Sequence, residues 1–186
     1  MSRRVQIVVL CEDLQHAVFV RRFLKKAGWP TRRLREEIAP PGRGSGEQFV
    51  RERFPVELTA HRTNYSRVAA ALVVMIDGDN QGPRKRMDSF AQACQSSGVE
   101  PPRPDERVAV FVPTWNIETW IAYLDGTSVE ENKDDYPRLA RERDCQPRVN
   151  HLWDMCQRGE LRPPSPPSLD AACTEYKSKL LWSNRD

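Results

Sequence analysis

The chain has 186 residues, a net charge of +3 and five cysteines, an odd number with no CxxC pair among them. This length suits one domain, or one domain with an appendage, and buries roughly 70% of its unfolded surface without staples. The cysteine pattern argues against a disulfide framework or a structural zinc site and is read as reduced thiols in a cytoplasmic protein. No apolar run reaches the length of a membrane span.

Val5-Gln-Ile-Val-Val-Leu-Cys11 reads as a buried strand. It is too short for a signal-peptide core, and no small-residue cleavage site follows it. Glu12 and Asp13 close the run. A helix follows, with Ala17, Val18, Phe19, Phe23, Leu24 and Ala27 near helical spacing and Arg21, Arg22, Lys25 and Lys26 opposite; Gly28 and Pro30 stop it. Strand, acid and helix in this order make the first half of a βαβ unit.

Arg32 to Ile38 is a short strand candidate with poor alternation. Ala39 to Gly46 is a Pro/Gly loop, either a flexible connection or a phosphate cradle built on Arg43 and the amides near Ser45. It lacks the GK[ST] ending of a P-loop. Glu47 to Leu58 presents Phe49, Val50 and Phe54 on one helical face, and a second short helix is expected over Asn64 to Ala71.

Leu72-Val-Val-Met-Ile76 then ends in Asp77-Gly78-Asp79. Such a run, rich in β-branched residues and closed by a turn signal, reads as a buried parallel strand. Its carboxyl end is where open α/β sheets bind ligands. Asp77 and Asp79, two apart in extended backbone, project to one side, and Gly78 permits a tight turn and a close ligand approach. Two carboxylates about 4 Å apart repel by roughly 4 kcal/mol at an effective dielectric near 20, so a cation is expected between them. Mg²⁺ or Mn²⁺ suits oxygen ligands. An ordinary strand-to-loop turn would use the same residue types.

Arg84, Lys85 and Arg86 form a basic loop after the acidic pair, read either as a solvated surface or as contacts to a nucleic-acid backbone. Lys177 and Lys179 are weaker candidates for that role. A helix is expected over about 87–97. Arg107 to Val112 is the third clear strand, and a helix opens near Trp115 with Glu118 at its start. Residues 1–125 therefore read as an α/β domain. Residues 126–186 read as a helical extension with too few apolar residues for a core of its own. Its elements are a charged stretch from Glu130 to Asp144, a short amphipathic helix from Val149 to Gln157, a Pro-rich spacer and a helix from Leu169 to Trp182.

Three strands thus end in acids: Glu12, then Asp77 and Asp79, then Glu118. Parallel strands joined by right-handed crossovers would bring all four to one edge. This arrangement resembles the Toprim domain of topoisomerases, bacterial primases, small maturation ribonucleases and nucleases of the OLD type. The signature is a Glu after the first strand and Asp-x-Asp after a later one, here Val9-Leu-Cys-Glu12 and Met75-Ile-Asp-Gly-Asp79. The stretch from Val112 to Tyr123 is similar to the Pro…Ile-Glu-x-Trp segment of small stand-alone bacterial Toprim proteins, often found near defence genes. The resemblance spans roughly Val5 to Leu124.

It implies a Rossmann-like Toprim fold, with about four mostly parallel strands flanked by helices. It also implies Mg²⁺-dependent (or Mn²⁺-dependent) phosphodiester hydrolysis, with Glu12 as general acid/base or metal ligand. Asp77 and Asp79 would ligate the metal, and Glu118 would be an additional ligand. Nucleic acid is the implied partner, DNA or RNA, held by Arg43, Arg84, Lys85 and Arg86, with a protein partner such as an ATPase in a bacterial defence or repair system. Two positions depart from the pattern: Asp13 stands where the family has Gly, and His16 where many nuclease members have an acid. His16 is read as a helix-surface residue without a role, in preference to a base or a phosphate contact. The alternatives are a non-catalytic binding or regulatory subunit on the same fold, or a phosphotransfer or nucleotide-binding enzyme on another doubly wound sheet. The missing glycine fingerprint after Cys11 opposes the last.

Overall fold

A computed structural model describes residues 4–42, 44–64 and 68–181. Strands β1 (Arg4–Cys11), β2 (Leu34–Ile38), β3 (Val68–Met75) and β4 (Val108–Phe111) form one sheet in the order β2-β1-β3-β4. All three pairings are parallel. The helices are α1 (Leu14–Lys26), α2 (Gly46–Asn64), α3 (Gly82–Ser96), α4 (Ile117–Leu124), α5 (Gln146–Arg158) and α6 (Pro167–Lys179). The result is the expected Rossmann-like α/β architecture with a helical C-terminal part. No helix among the described residues is long and apolar enough to cross a membrane.

The two central strands are apolar from Ile7 to Cys11 in β1 and along the whole of β3, because both faces of the sheet are covered. Period-2 alternation sorts their side chains. Ile7, Val9, Cys11, Ala71, Val73 and Met75 face α1, α4, α5 and α6. Leu10, Leu72, Val74 and Ile76 face α2 and α3, where Phe54 and Phe90 pack with ring centroids 4.7 Å apart. The chain runs outward from β1 to β2, then returns past β1 to β3 and β4. The order therefore reverses between β1 and β3, and the carboxyl ends of these two strands flank the switch point.

Two sequence expectations change, the bounds of α2 and β3 and the state of the cysteines, and a third gains detail. The helix expected over Glu47–Leu58 is longer, running as α2 to Asn64, and Val68 to Ala71 of the second expected helix are the start of β3. Alanines 69 to 71 favour a helix locally, but pairing along the whole of β1 outweighs that weak preference. The C-terminal helices, expected as an extension without a core of its own, pack on the main core. Leu152, Leu169 and Tyr176 enter the same core as α1, with Phe23 against Tyr176 at 5.0 Å and against Trp153 at 5.8 Å. Finally, Cys156 and Cys173 are disulfide-bonded, with Cα atoms 5.6 Å apart; Cys11, Cys94 and Cys145 are free and buried. Spacing along the chain could not show that bridge, because it depends on α5 lying beside α6.

Candidate metal and phosphoryl-transfer site

Glu12 and Asp77 lie just beyond neighbouring strand ends, since Cys11 pairs with Met75. The Glu12 Oε1 accepts a 2.7 Å hydrogen bond from the Asp77 backbone N–H, so the loops after β1 and β3 are tied together at the switch point. Asp77 Oδ1 accepts from the Ile117 N–H at the start of α4 (3.0 Å) and faces His16 Nε2 at 3.1 Å. The N-terminal end of a helix favours a carboxylate in that position.

His16 is the residue that the sequence reading undervalued. It is 1% exposed, not a surface residue, and it sits in the first turn of α1 with its ring against the acids. Burial alone would lower its pKa. The carboxylates of Asp77, Asp13 and Glu12 outweigh that effect and lift it to about 9. Asp13 caps α1 by accepting the His16 N–H at 2.9 Å and pairs with Arg138 at 2.7 Å. His16 and Arg138 hold Asp13 below the usual carboxylate range against the opposing effect of burial. Burial raises the Glu12 carboxyl to about 7, with His16 opposing and the Asp77 and Asp79 charges adding to the rise.

Asp79 does not project beside Asp77 as extended backbone would have it. The strand ends at Met75, and Asp79 has a left-handed φ of 49°, which Asp tolerates better than most residues. Its N–H donates to the Trp115 carbonyl at 2.8 Å, and its half-exposed carboxylate accepts from Arg86. Gly78 approaches protein, not ligand. Its N–H donates to the Pro113 carbonyl at 2.9 Å, and a Cβ there would lie 2.3 Å from the Thr114 carbonyl oxygen. Glycine is therefore required by the neighbouring β4–α4 loop.

Glu118 is buried in the first turn of α4 and accepts from Gln15 Nε2 at 2.9 Å. Arg86 is 3% exposed, so it is not available as a backbone-phosphate contact. Its Nε donates to the Asp77 carbonyl (2.9 Å), Nη2 binds Asp79, and Nη1 lies 3.2 Å from Glu47. Arg84 and Lys85 are exposed on the first turn of α3, as a backbone contact requires. Arg43 falls outside the described residues. Lys179 is at the other end of the sheet, donating to the Pro104 carbonyl at 2.5 Å. Trp120 is core, and its indole N–H donates to Ser168 at 2.8 Å; Trp115 is half-buried beside the Asp79 loop.

The charge problem posed by paired acids therefore has a protein answer, in the His16 and Arg86 side chains. Among the described residues, no three His, Cys, Asp or Glu side chains are placed to hold one metal ion. Magnesium does not need such a cage, since it usually keeps several waters and takes one or two carboxylates. Glu12 and Asp77 fit that demand. Their bonds use Oε1 and Oδ1, and no hydrogen bond among the described residues engages Oε2 of Glu12 or Oδ2 of Asp77. The spacing of Glu12 and His16, four apart around an N-cap, was the signal that could have placed the imidazole at the strand ends. No family model matches the chain, and no curated protein and no solved structure matches it either.

Proposed function

We propose that the chain is a Mg²⁺-dependent nuclease that hydrolyses phosphodiesters with a Toprim-type carboxylate site. The observation that carries this reading is the Glu12–Asp77 contact at the switch point, which brings together two acids 65 residues apart. Glu12 and Asp77 would hold the ion, with Asp79 as a third ligand once released from Arg86. Bound there, Mg²⁺ would acidify a water and neutralise charge developing during in-line displacement. The chain's own residues do the rest. The Ile117 N–H and His16 fix the Asp77 carboxylate, and Glu12 Oε2 serves either the ion or a proton, not both at once. Arg84 and Lys85 hold the backbone phosphates flanking the scissile one. Action on DNA or RNA in a cytoplasmic bacterial defence or repair system, beside a protein partner such as an ATPase, belongs to the same proposal.

The test is cleavage of plasmid DNA and structured RNA with Mg²⁺ or Mn²⁺. Wild type should cut, and Asp77→Ala should lose at least about a hundredfold in rate, the upper range for disturbing a metal site. A second reading, a non-catalytic binding or regulatory subunit, is favoured by one observation: the protein itself already occupies two of the acids, Asp79 by the Arg86 ion pair and Glu118 by the Gln15 hydrogen bond. That reading takes over if neither protein cuts and Mn²⁺ leaves the melting temperature unchanged.

A further inference from the structure

Arg86 is an unusual group to find beside a cation site. Its guanidinium is buried in the first turn of α3 and spans three acceptors: the Asp77 carbonyl, the Asp79 carboxylate and Glu47. Glu47 is held in turn by Arg51 Nε at 3.0 Å and opens α2. The neighbouring Gly46 is pressed against Glu12, where a Cβ would lie 2.9 Å from the Glu12 Cβ. The Arg86 network therefore reaches from the Asp79 loop to the chain covering Glu12.

We propose that Arg86 is an internal cation lock: its guanidinium holds the Asp79 carboxylate that a divalent ion would otherwise take, so it sets how tightly the site binds that ion. This inference rests on the metal reading above. Two physical facts support its direction. A planar guanidinium binds a carboxylate with good geometry and cannot lose its proton. Two cations sharing one carboxylate also repel, so the ion must either displace Arg86 or bind without Asp79. Arg86 is thus a positioning residue for Asp79. In its absence Asp79 still has its backbone held by Trp115, so the carboxylate stays near the rim.

The experiment is Mn²⁺ binding, followed by electron paramagnetic resonance of the free ion and by calorimetry. The proteins are wild type, Arg86→Gln, Asp79→Asn and the double variant, each checked by circular dichroism. Arg86→Gln should bind Mn²⁺ about two- to fivefold tighter, the worth of a half-exposed ion pair converted to affinity. Asp79→Asn should erase that gain in the double variant. Damage to the fold would weaken binding, so tightening is not a structural side effect. If Arg86→Gln does not fold, Arg86→Lys carries the test. Lysine cannot span all three acceptors and should tighten binding by a smaller factor. Folded variants that bind no tighter than wild type overturn the lock while leaving the metal reading intact. No binding by any variant at millimolar Mn²⁺ removes the metal reading and the lock together.

Discussion

At the N-terminal end of the strands Glu106 meets four donors, and at the C-terminal end Glu12 meets one. Glu106, just before β4, takes Arg62 as a bidentate partner at 2.7 and 3.0 Å, with the Arg103 N–H at 2.8 Å and the Arg103 guanidinium at 3.2 Å. The Arg62 hydrogen bonds, reinforced by Arg103, hold its pKa near 2 against burial. Glu12 receives a single backbone N–H, and burial drives its pKa the other way, to about 7. A carboxylate whose bonds are complete stabilises the fold. One left short is a cost that a ligand or a proton can relieve.

The largest effect should come from breaking the satisfied end. Arg62→Ala leaves Glu106, only 5% exposed, without its main partner, and also frees the carbonyls of Glu100 and Pro101. Urea unfolding at neutral pH should show a loss of about 3 kcal/mol, typical of an uncompensated buried charge. Any divalent-dependent cleavage should survive below the new melting temperature. The pH dependence has a definite sign. The depressed pKa means that Glu106 stabilises the fold fully above the ordinary 4.5 and loses that contribution as pH falls towards about 2. Arg62→Ala should therefore unfold with a flatter acid limb. An unchanged limb would mean that the pair is not what stabilises this end.

The rim should respond in the opposite sense. With the Glu12 pKa raised in the fold, the unfolded chain gives up its proton first, so stability falls as pH rises from 4.5 to about 7 and stays lower above that. Glu12→Gln keeps an oxygen for the Asp77 N–H and removes the charge. In EDTA at pH 8 it should gain about 1 kcal/mol, measured as a rise in melting temperature, and it should lose metal-dependent cleavage. A destabilised Glu12→Gln would show that His16 and the Asp77 N–H already balance this carboxylate in full.

Legibility in the sequence followed how local each signal was. The strands β1, β3 and β4 and the acids closing them were readable, because an apolar run and the turn that stops it are adjacent in the chain. The parallel order followed from strand–helix alternation. What the sequence hid were pairings between distant segments. His16 reaches Asp77 across 61 residues, Arg138 reaches Asp13 across 125, and Cys156 meets Cys173 only because α5 and α6 pack together. Arg86 was misjudged for a related reason. In a run of three basic residues, the helix turns Arg84 and Lys85 to solvent and the third back to the acids, a division that composition does not carry.

That division gives the smallest and most discriminating change. Arg84→Ala and Lys85→Ala remove exposed charges with no partner in the acid network, so stability should stay within about 0.5 kcal/mol of wild type. If these side chains meet phosphates, each substitution should weaken nucleic-acid binding across all sequences and reduce the slope of log K against log salt by about 1. Fluorescence anisotropy with DNA and RNA duplexes across a salt series reads both quantities. Because Arg86 spends its charge on Asp79 and Glu47, Arg86→Gln should leave that slope unchanged. A slope that drops equally for all three variants would mean that the buried guanidinium turns outward to meet nucleic acid, and that Asp79 gives up its partner when substrate binds.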